Sequence, residues 1–116
     1  MTIQEASERY QIPMKLLKEY ERWGLRGAKD KVEGAWQYDD TDLERLSMVM
    51  TLCGIGFTAE EAERYMRLLL EGEGAELACL RMLDQKRAAV LEEIHRRERQ
   101  LEQLDYLRYE LRKKNE

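Results

Sequence analysis

The chain has 116 residues with a formal net charge of −4, and 38% of its residues are charged. This length suits one domain plus an extended element and excludes a two-domain enzyme with its own ligand-binding module. A single proline and an abundance of strong helix formers favour an all-α fold. Since the sequence has neither an apolar run of about 18 residues nor a signal-peptide pattern, we expect a cytoplasmic protein without membrane association.

Helix starts are marked by three Thr-x-x-Glu sequences, which begin at Thr2, Thr41 and Thr58. Each has the pattern of a capping box, in which the hydroxyl accepts a hydrogen bond from a free N–H at the helix start. Pro13 marks a fourth start, because its missing N–H needs no partner at the first position of a helix. The sequence therefore predicts helices over about residues 3–9, 13–23, 41–54 and 59–71.

Apolar residues at helical spacing predict which side of each helix is buried. In the second helix the predicted core residues are Leu16, Leu17 and Tyr20. In the third helix they are Leu43, Leu46, Val49, Met50 and Cys53.

Residues 26–39, here named the wing, lose the helical period and contain two glycines. Val32 and the run 36–38 carry side chains that favour strands. The wing is therefore predicted to form either two short strands or an irregular arm.

The C-terminal segment repeats apolar and arginine residues at alternating steps of three and four. A helix over 77–112 with this period would be roughly 50 Å long and has the stripe of a coiled coil. Arginine stems can pack in such a stripe while their charged ends reach water. We expect an antiparallel homodimer, with packing against the fourth helix of the same chain as the alternative. The stripe, here named the seam, consists of Leu80, Leu83, Arg87, Val90, Ile94, Arg97, Leu101, Leu104, Arg108 and Leu111, and its apolar members are the predicted dimerisation residues.

Positive charge is concentrated in residues 15–31, where six basic and three acidic side chains give a local net charge of +3. Such a cluster can contact the phosphates of nucleic acid, although the chain has no general basic field. The alternative is an ordinary solvated helix surface.

Two sets of residues carry a resemblance to a known family. One is the stretch Ile55-Gly-Phe-Thr-Ala-Glu-Glu-Ala62. The other is spread over the second helix, the wing and the third helix and consists of Leu17, Tyr20, Glu21, Gly24, Leu25, Gly34, Tyr38, Asp42, Leu43 and Leu46. In this order, the motifs resemble the MerR family of helix-turn-helix transcription regulators, and the resemblance covers residues 1 to about 112.

The resemblance implies a winged helix-turn-helix head over residues 1–72, with a second helix pair, and an antiparallel coiled-coil dimerisation helix over residues 75–116. Two heads would bind double-stranded DNA at a pseudo-palindromic promoter site and distort it, with RNA polymerase as a further partner. The implied DNA-binding residues are Lys15, Lys18, Glu19, Tyr20, Arg22, Lys29, Lys31 and Trp36.

Several positions depart from the family's pattern. Lys18 stands where the family has an arginine, so the charge is kept but the guanidinium fork is lost. Glu19 stands where the family has a tyrosine and would repel phosphate, although a carboxylate can accept a hydrogen bond from cytosine. Gln11 replaces a turn glycine, and Ala35-Trp36 replaces a Tyr-Arg pair of the wing.

These departures favour an alternative function. The chain would keep the MerR-like dimer, lose tight DNA binding, and serve as a protein-interaction module. An exposed Trp23 or Trp36 would then be the contact residue.

Neither an enzymatic site nor a cofactor is predicted, because the sequence shows no nucleophile–base pair, carboxylate pair or phosphate-binding glycine loop. Cys79 lies where metal-sensing relatives place a thiolate, but a lone soft ligand does not complete a coordination sphere. We therefore expect no bound metal and no effector domain after the coil. Cys79 is interpreted as a helix-surface or dimer-packing residue, and Cys53 as a small core residue.

Overall fold

The computed structural model describes residues 1–25 and 37–115, and between them the backbone of two short strands. The elements follow the predicted order of helices, with the wing between the second and third. They are α1 (Ile3–Tyr10), α2 (Met14–Trp23), β1 (Lys31–Val32), β2 (Ala35–Trp36), α3 (Asp40–Gly54), α4 (Ala59–Leu69) and α5 (Ala75–Lys114).

The first two helices form a helix-turn-helix whose turn depends on local hydrogen bonds. The Thr2 side chain caps α1 by accepting from the Glu5 N–H. At the other end, Gln11 adopts the left-handed conformation (φ 55°, ψ 41°) and its N–H donates to the Ser7 carbonyl. Pro13 is the N-cap of α2 rather than its first residue, and its carbonyl accepts from two N–H groups of the first turn.

The start of α3 differs from the prediction. Its capping box is formed by Asp39 and Asp42, each of whose side chains accepts from the other's N–H, at 2.9 Å and 3.1 Å. The predicted box at Thr41 is wrong, because the helix has already begun at Asp40. The box at Thr58 and Glu61 is confirmed, with both of its hydrogen bonds present.

The core lies where α2, α3 and α4 pack together. Tyr20 and Trp23 of α2 meet edge to face, with ring centroids 6.3 Å apart, and Phe57 packs in the same way on Tyr65 of α4 at 6.0 Å. This geometry is favourable for aromatic pairs. The largest fully buried side chains are Tyr20, Leu17, Leu46, Leu52, Met66 and Val49.

The buried side of α3 is displaced from the predicted one. Leu52 is buried in place of Cys53, which is exposed, while Leu43 and Met50 are only half-buried. The prediction that Cys53 belongs to the core is therefore wrong. Leu16 of α2 is also half-buried, whereas Leu17 and Tyr20 are buried as predicted.

Of the two structures predicted for the wing, two short strands or an irregular arm, it contains the two short strands. β1 and β2 pair antiparallel, with Lys31 opposite Trp36 and Val32 opposite Ala35. After β2 the chain returns to the first residue, where the Tyr38 N–H donates to the Met1 carbonyl at 2.7 Å.

The chain divides into two compact units, Met1–Cys79 (the first unit) and Leu80–Glu116 (the second unit). α5 begins in the first unit, where Ala75 and Cys79 are buried, and supplies the helix of the second. Within the second unit, the seam residues Val90, Ile94, Leu101, Leu104 and Leu111 are exposed, and so is Leu80 at its start, whereas Leu83 is half-buried. No helix of the described residues combines the length and apolarity needed to cross a membrane.

Candidate nucleic-acid interface

The exposed side of α2 carries three positive charges. Of the ten residues of this helix, Lys15, Lys18 and Arg22 are the three that are exposed, and they recur at helical spacing on one side. We name these three residues the basic strip. Together with Met14 and Glu21 they line an open groove of about 860 Å³. A row of cations on the exposed side of a helix is suited to contact with a polyanion.

The two glutamates of α2 lie beside the basic strip and are half-buried. The Tyr38 hydroxyl, two residues after β2, donates to Glu21 Oε1 at 2.5 Å. On the other side of the strip, Glu19 lies near Cys53 of α3. Desolvation, and to a smaller extent the charge of Glu19, raises the pKa of the Cys53 thiol. The exposed side chains of α2 are therefore all cationic, and the two carboxylates beside them are partly covered by neighbouring residues.

Tyr20 departs from the expectation that it binds DNA, because its side chain is fully buried. Its hydroxyl donates to Asp42 Oδ1 at 2.9 Å. Burial is the larger cause, and this hydrogen bond a further one, that raises the pKa of Tyr20 to about 12. The side chain thus ties α2 to the start of α3, and a direct role in reading DNA is corrected to a positioning role.

A second tie holds the end of α2. Arg67 of α4 donates from Nη2 to the Trp23 carbonyl at 2.5 Å and pairs with Glu63 on its own helix at 2.8 Å. The last carbonyls of a helix have no partner within the helix, so a guanidinium there satisfies one of them. Trp23 itself is buried, and the expectation that it offers an exposed contact is wrong.

Three predicted DNA-binding residues belong to the wing. Lys29 lies outside the described residues, and of Lys31 and Trp36 only the strand backbone is described. Their pairing across β1 and β2 puts Lys31 directly opposite Trp36 in the two-stranded ribbon. Their roles stay predictions.

Cys79 is a core residue of the first unit. It is buried, its thiol donates to the Tyr65 carbonyl at 3.7 Å, and burial raises its pKa. The interpretation as a helix-surface or dimer-packing residue is wrong, because the Cys79 side chain is buried within its own chain and contacts α4. Within the described residues, no group of three or more histidine, cysteine or acidic side chains could hold a metal ion.

Sequence reasoning missed the residues that hold α2 in place. Asp42, Tyr38 and Arg67 act through tertiary hydrogen bonds to residues 17 or more positions away. The one available signal was that Tyr38 and Asp42 fall at positions of the resemblance. No local pattern indicated Arg67.

Comparisons with known proteins agree with this geometry. A family model described as "MerR HTH family regulatory protein" matches residues 1–69. The HTH-type transcriptional regulator HmrR of Rhizobium leguminosarum bv. viciae is 35% identical over 104 residues, which is 90% of this chain and 78% of that protein.

A solved structure has the same fold. A MerR family transcriptional regulator from Bacillus thuringiensis superposes with a TM-score of 0.62 at 21% identity, covering 90% of this chain and 93% of that one.

Proposed function

Because the chain belongs to the MerR family of helix-turn-helix transcription regulators, we propose that it binds a pseudo-palindromic promoter site as a homodimer. In this proposal α2 is the recognition helix and the basic strip enters the major groove. Lys29, Lys31 and Trp36 of the wing contact the flanking backbone. The seam holds the two copies together, so that two recognition helices are presented to one site.

The basic strip is the observation that carries this proposal. All three exposed side chains of α2 are cationic, while both glutamates are half-buried beside them. A recognition helix meets two rows of phosphate on entering the major groove, and cations there supply sequence-independent affinity. Glu19, at the edge of the strip, is a candidate to accept a hydrogen bond from the exocyclic amine of cytosine.

Regulation by distortion of the promoter and contact with RNA polymerase complete the proposal. Both come from the family resemblance. Distortion requires that the two heads be held at a fixed separation, since only then does binding force the intervening DNA to bend or untwist. A rigid helix such as α5, 40 residues long, is suited to fix that separation.

The test is the salt dependence of DNA binding. Replacing Lys18 with Glu in both copies removes one phosphate contact per head, and each contact contributes about −0.9 to the slope of log affinity against log salt. We expect Lys18→Glu to flatten the slope by roughly two units and to weaken all DNA sequences alike. The control is Arg99→Glu, which makes the same change of charge on the second unit outside the seam.

A selection of genome fragments at low salt decides between this function and its alternative. Enrichment of particular fragments by the wild-type dimer supports promoter recognition. If no fragment is enriched over random DNA and Lys18→Glu changes nothing, the protein acts as a protein-interaction module with a MerR-like fold. The groove between α1 and α3, lined by Tyr10, Ile12, Leu43, Ser47, Met50 and Thr51, would then be the first surface to test.

A further inference from the structure

The row of side chains along α2 begins with an apolar residue. Met14, Lys18 and Arg22 follow one another at intervals of four residues, so they lie on successive turns of one side of the helix. With Lys15 and Glu21 they line the open groove of about 860 Å³. Among the described residues of this groove, Met14 is the only one without a charged group. The groove therefore combines one apolar position with the charges of the basic strip.

Met14 is the first residue of α2 and lies at the surface of the first unit. Its side chain is half-buried, whereas Leu17, one turn later, is fully buried in the core. Gln11 and Pro13, in the turn that precedes the helix, are both exposed. Part of the Met14 side chain is thus left in contact with water at the start of the helix.

The position of Met14 on α2 decides which part of a DNA duplex it can contact. In helix-turn-helix proteins, the N-terminal residues of the recognition helix contact the edges of bases in the major groove. The cations of the basic strip can bind phosphate oxygens, but a thioether has no charge to offer a phosphate. If α2 enters the major groove, Met14 therefore meets base edges.

An apolar side chain at a base edge favours one chemical group. Of the base groups presented in the major groove, the C5-methyl group of thymine is the apolar one, and the others are hydrogen-bond donors and acceptors. Methionine is flexible and polarisable, so it adapts well to such a contact. Against a polar base edge, the same side chain would displace water without replacing its hydrogen bond, which is unfavourable.

We propose that Met14 contacts the C5-methyl group of a thymine in each half-site, so that the protein prefers a T·A base pair at that position. This role rests on the proposed function and adds the base that one residue of the recognition helix selects. It is separate from the role of Glu19, which lies at the other edge of the basic strip and would accept a hydrogen bond from cytosine.

Replacement of thymine by uracil tests this contact, because uracil differs from thymine only in lacking the C5-methyl group. The probe is the site bound within the most enriched fragment of the low-salt selection, and each of its thymines is replaced in turn. Since the fragment is amplified, it carries no methylated cytosine, and thymine is the only source of the methyl group. The full-length protein is used throughout.

At one thymine in each half-site, we expect the replacement to weaken wild-type binding roughly fourfold, from the loss of one buried methyl group. Replacing both symmetric thymines should weaken binding by more than about tenfold, since well-separated positions contribute nearly additively. Met14→Ala is expected to bind the thymine and uracil forms of these positions equally. Met14→Leu, which keeps an apolar side chain, should retain most of the preference for thymine.

Met48→Ala is the matched control, because Met48 is a methionine of α3 that is 39% exposed and lies outside the basic strip. It should leave the preference for thymine as it is in the wild type. The quantity compared is the ratio of the affinities for the thymine and uracil forms. A substitution that only destabilises the protein lowers both affinities and leaves their ratio unchanged.

A thymine whose methyl group matters to the wild type but not to Met14→Ala supports the proposed contact. The contact is overturned if Met14→Ala has the wild-type ratio at every thymine, even where it binds more weakly. Enriched fragments with the expected salt slope but without such a thymine overturn this contact alone. If no fragment is enriched and Lys18→Glu changes nothing, the proposed function fails, and the contact of Met14 fails with it.

Discussion

The turn of the helix-turn-helix is made by a residue that is poorly suited to it. Gln11 has a φ of 55° and is the one non-glycine residue with positive φ among those the structure describes. Side chains with a Cβ are disfavoured in this region by roughly 1–2 kcal/mol, whereas glycine adopts it freely. The hydrogen bonds from the Gln11 and Ile12 N–H groups to the Ser7 carbonyl hold the conformation in place.

We therefore predict that Gln11→Gly stabilises the protein. The relief of strain exceeds the entropy that a glycine adds to the unfolded chain, so the gain should be up to about 1 kcal/mol. Thermal unfolding should show a Tm higher by several degrees, by the usual scaling for a small domain. Gln11→Ala is the control, since alanine keeps the Cβ, and an equal gain from both substitutions would refute the explanation by strain.

Tyr20 gives the stability a dependence on alkaline pH. Its pKa is raised from 10.0 to about 12 in the folded protein by burial and by the hydrogen bond to Asp42. A group whose folded pKa is the higher one stabilises the fold fully below its unfolded pKa, and this stability is lost as the pH rises through the folded pKa. We expect the free energy of unfolding to decrease between pH 10 and 12, and to decrease less steeply in Tyr20→Phe.

At neutral pH the same substitution should cost about 1–3 kcal/mol, because it leaves the buried Asp42 carboxylate without one of its donors. Urea unfolding measures the loss. Tyr109→Phe, which removes an exposed hydroxyl from α5, should leave the stability unchanged. A Tyr20→Phe protein as stable as the wild type would show that the bond to Asp42 contributes nothing net.

Among the elements, α3 shows what a sequence pattern can and cannot determine. The spacing of its apolar residues predicted that the helix exists. It predicted neither the residue at which the helix begins nor the side that is buried. Asp42 is buried at the start because Tyr20 and the Asp39 N–H both donate to its carboxylate. The Tyr20 donor lies 22 residues away in sequence. The Thr-x-x-Glu pattern selects Thr41 instead, because it takes account only of neighbouring residues and not of that distant donor.

The assignment of Cys79 failed for a related reason. The period of the seam predicted the helical state of α5 correctly. Which of its residues are covered by the same chain depends on how the start of α5 packs against α4, where the Cys79 thiol donates to the Tyr65 carbonyl. For the basic strip, the sequence predicted the cations, whereas the half-buried positions of Glu19 and Glu21 required the packing of α2 against its neighbours.

The α3 capping box leads to a direct comparison of two substitutions. Asp39→Ala removes the oxygen that accepts the Asp42 N–H, so it should destabilise the protein by about 0.5–2 kcal/mol. Thr41→Ala, two residues later, should change the stability by no more than about 0.5 kcal/mol. Chemical unfolding with an unchanged m-value would report both effects. A larger loss for Thr41→Ala than for Asp39→Ala would restore the cap predicted from the sequence.

At the scale of the whole molecule, the proposed dimer depends on apolar side chains that a single copy leaves in water. Ile94 is 47% and Leu101 is 59% exposed, and both lie within the seam. Burial of such a side chain stabilises an association by roughly 1.5–3 kcal/mol, and a carboxylate at the same position adds the cost of its desolvation. On the proposed dimer, each substitution acts twice, once in each copy.

We predict that the double variant Ile94→Asp, Leu101→Asp weakens the dimer by several kcal/mol and sediments as a monomer or an unfolded chain at micromolar concentration. The control is Gln85→Asp, Gln103→Asp, which adds the same charge to α5 outside the seam and should sediment as the wild type does. Circular dichroism of the first variant separates loss of the dimer from loss of helix. A wild-type chain that is a stable monomer at this concentration would contradict the proposed homodimer. The protein would then bind DNA through the basic strip of one copy. The slope of log affinity against log salt would be about half of that expected for a dimer.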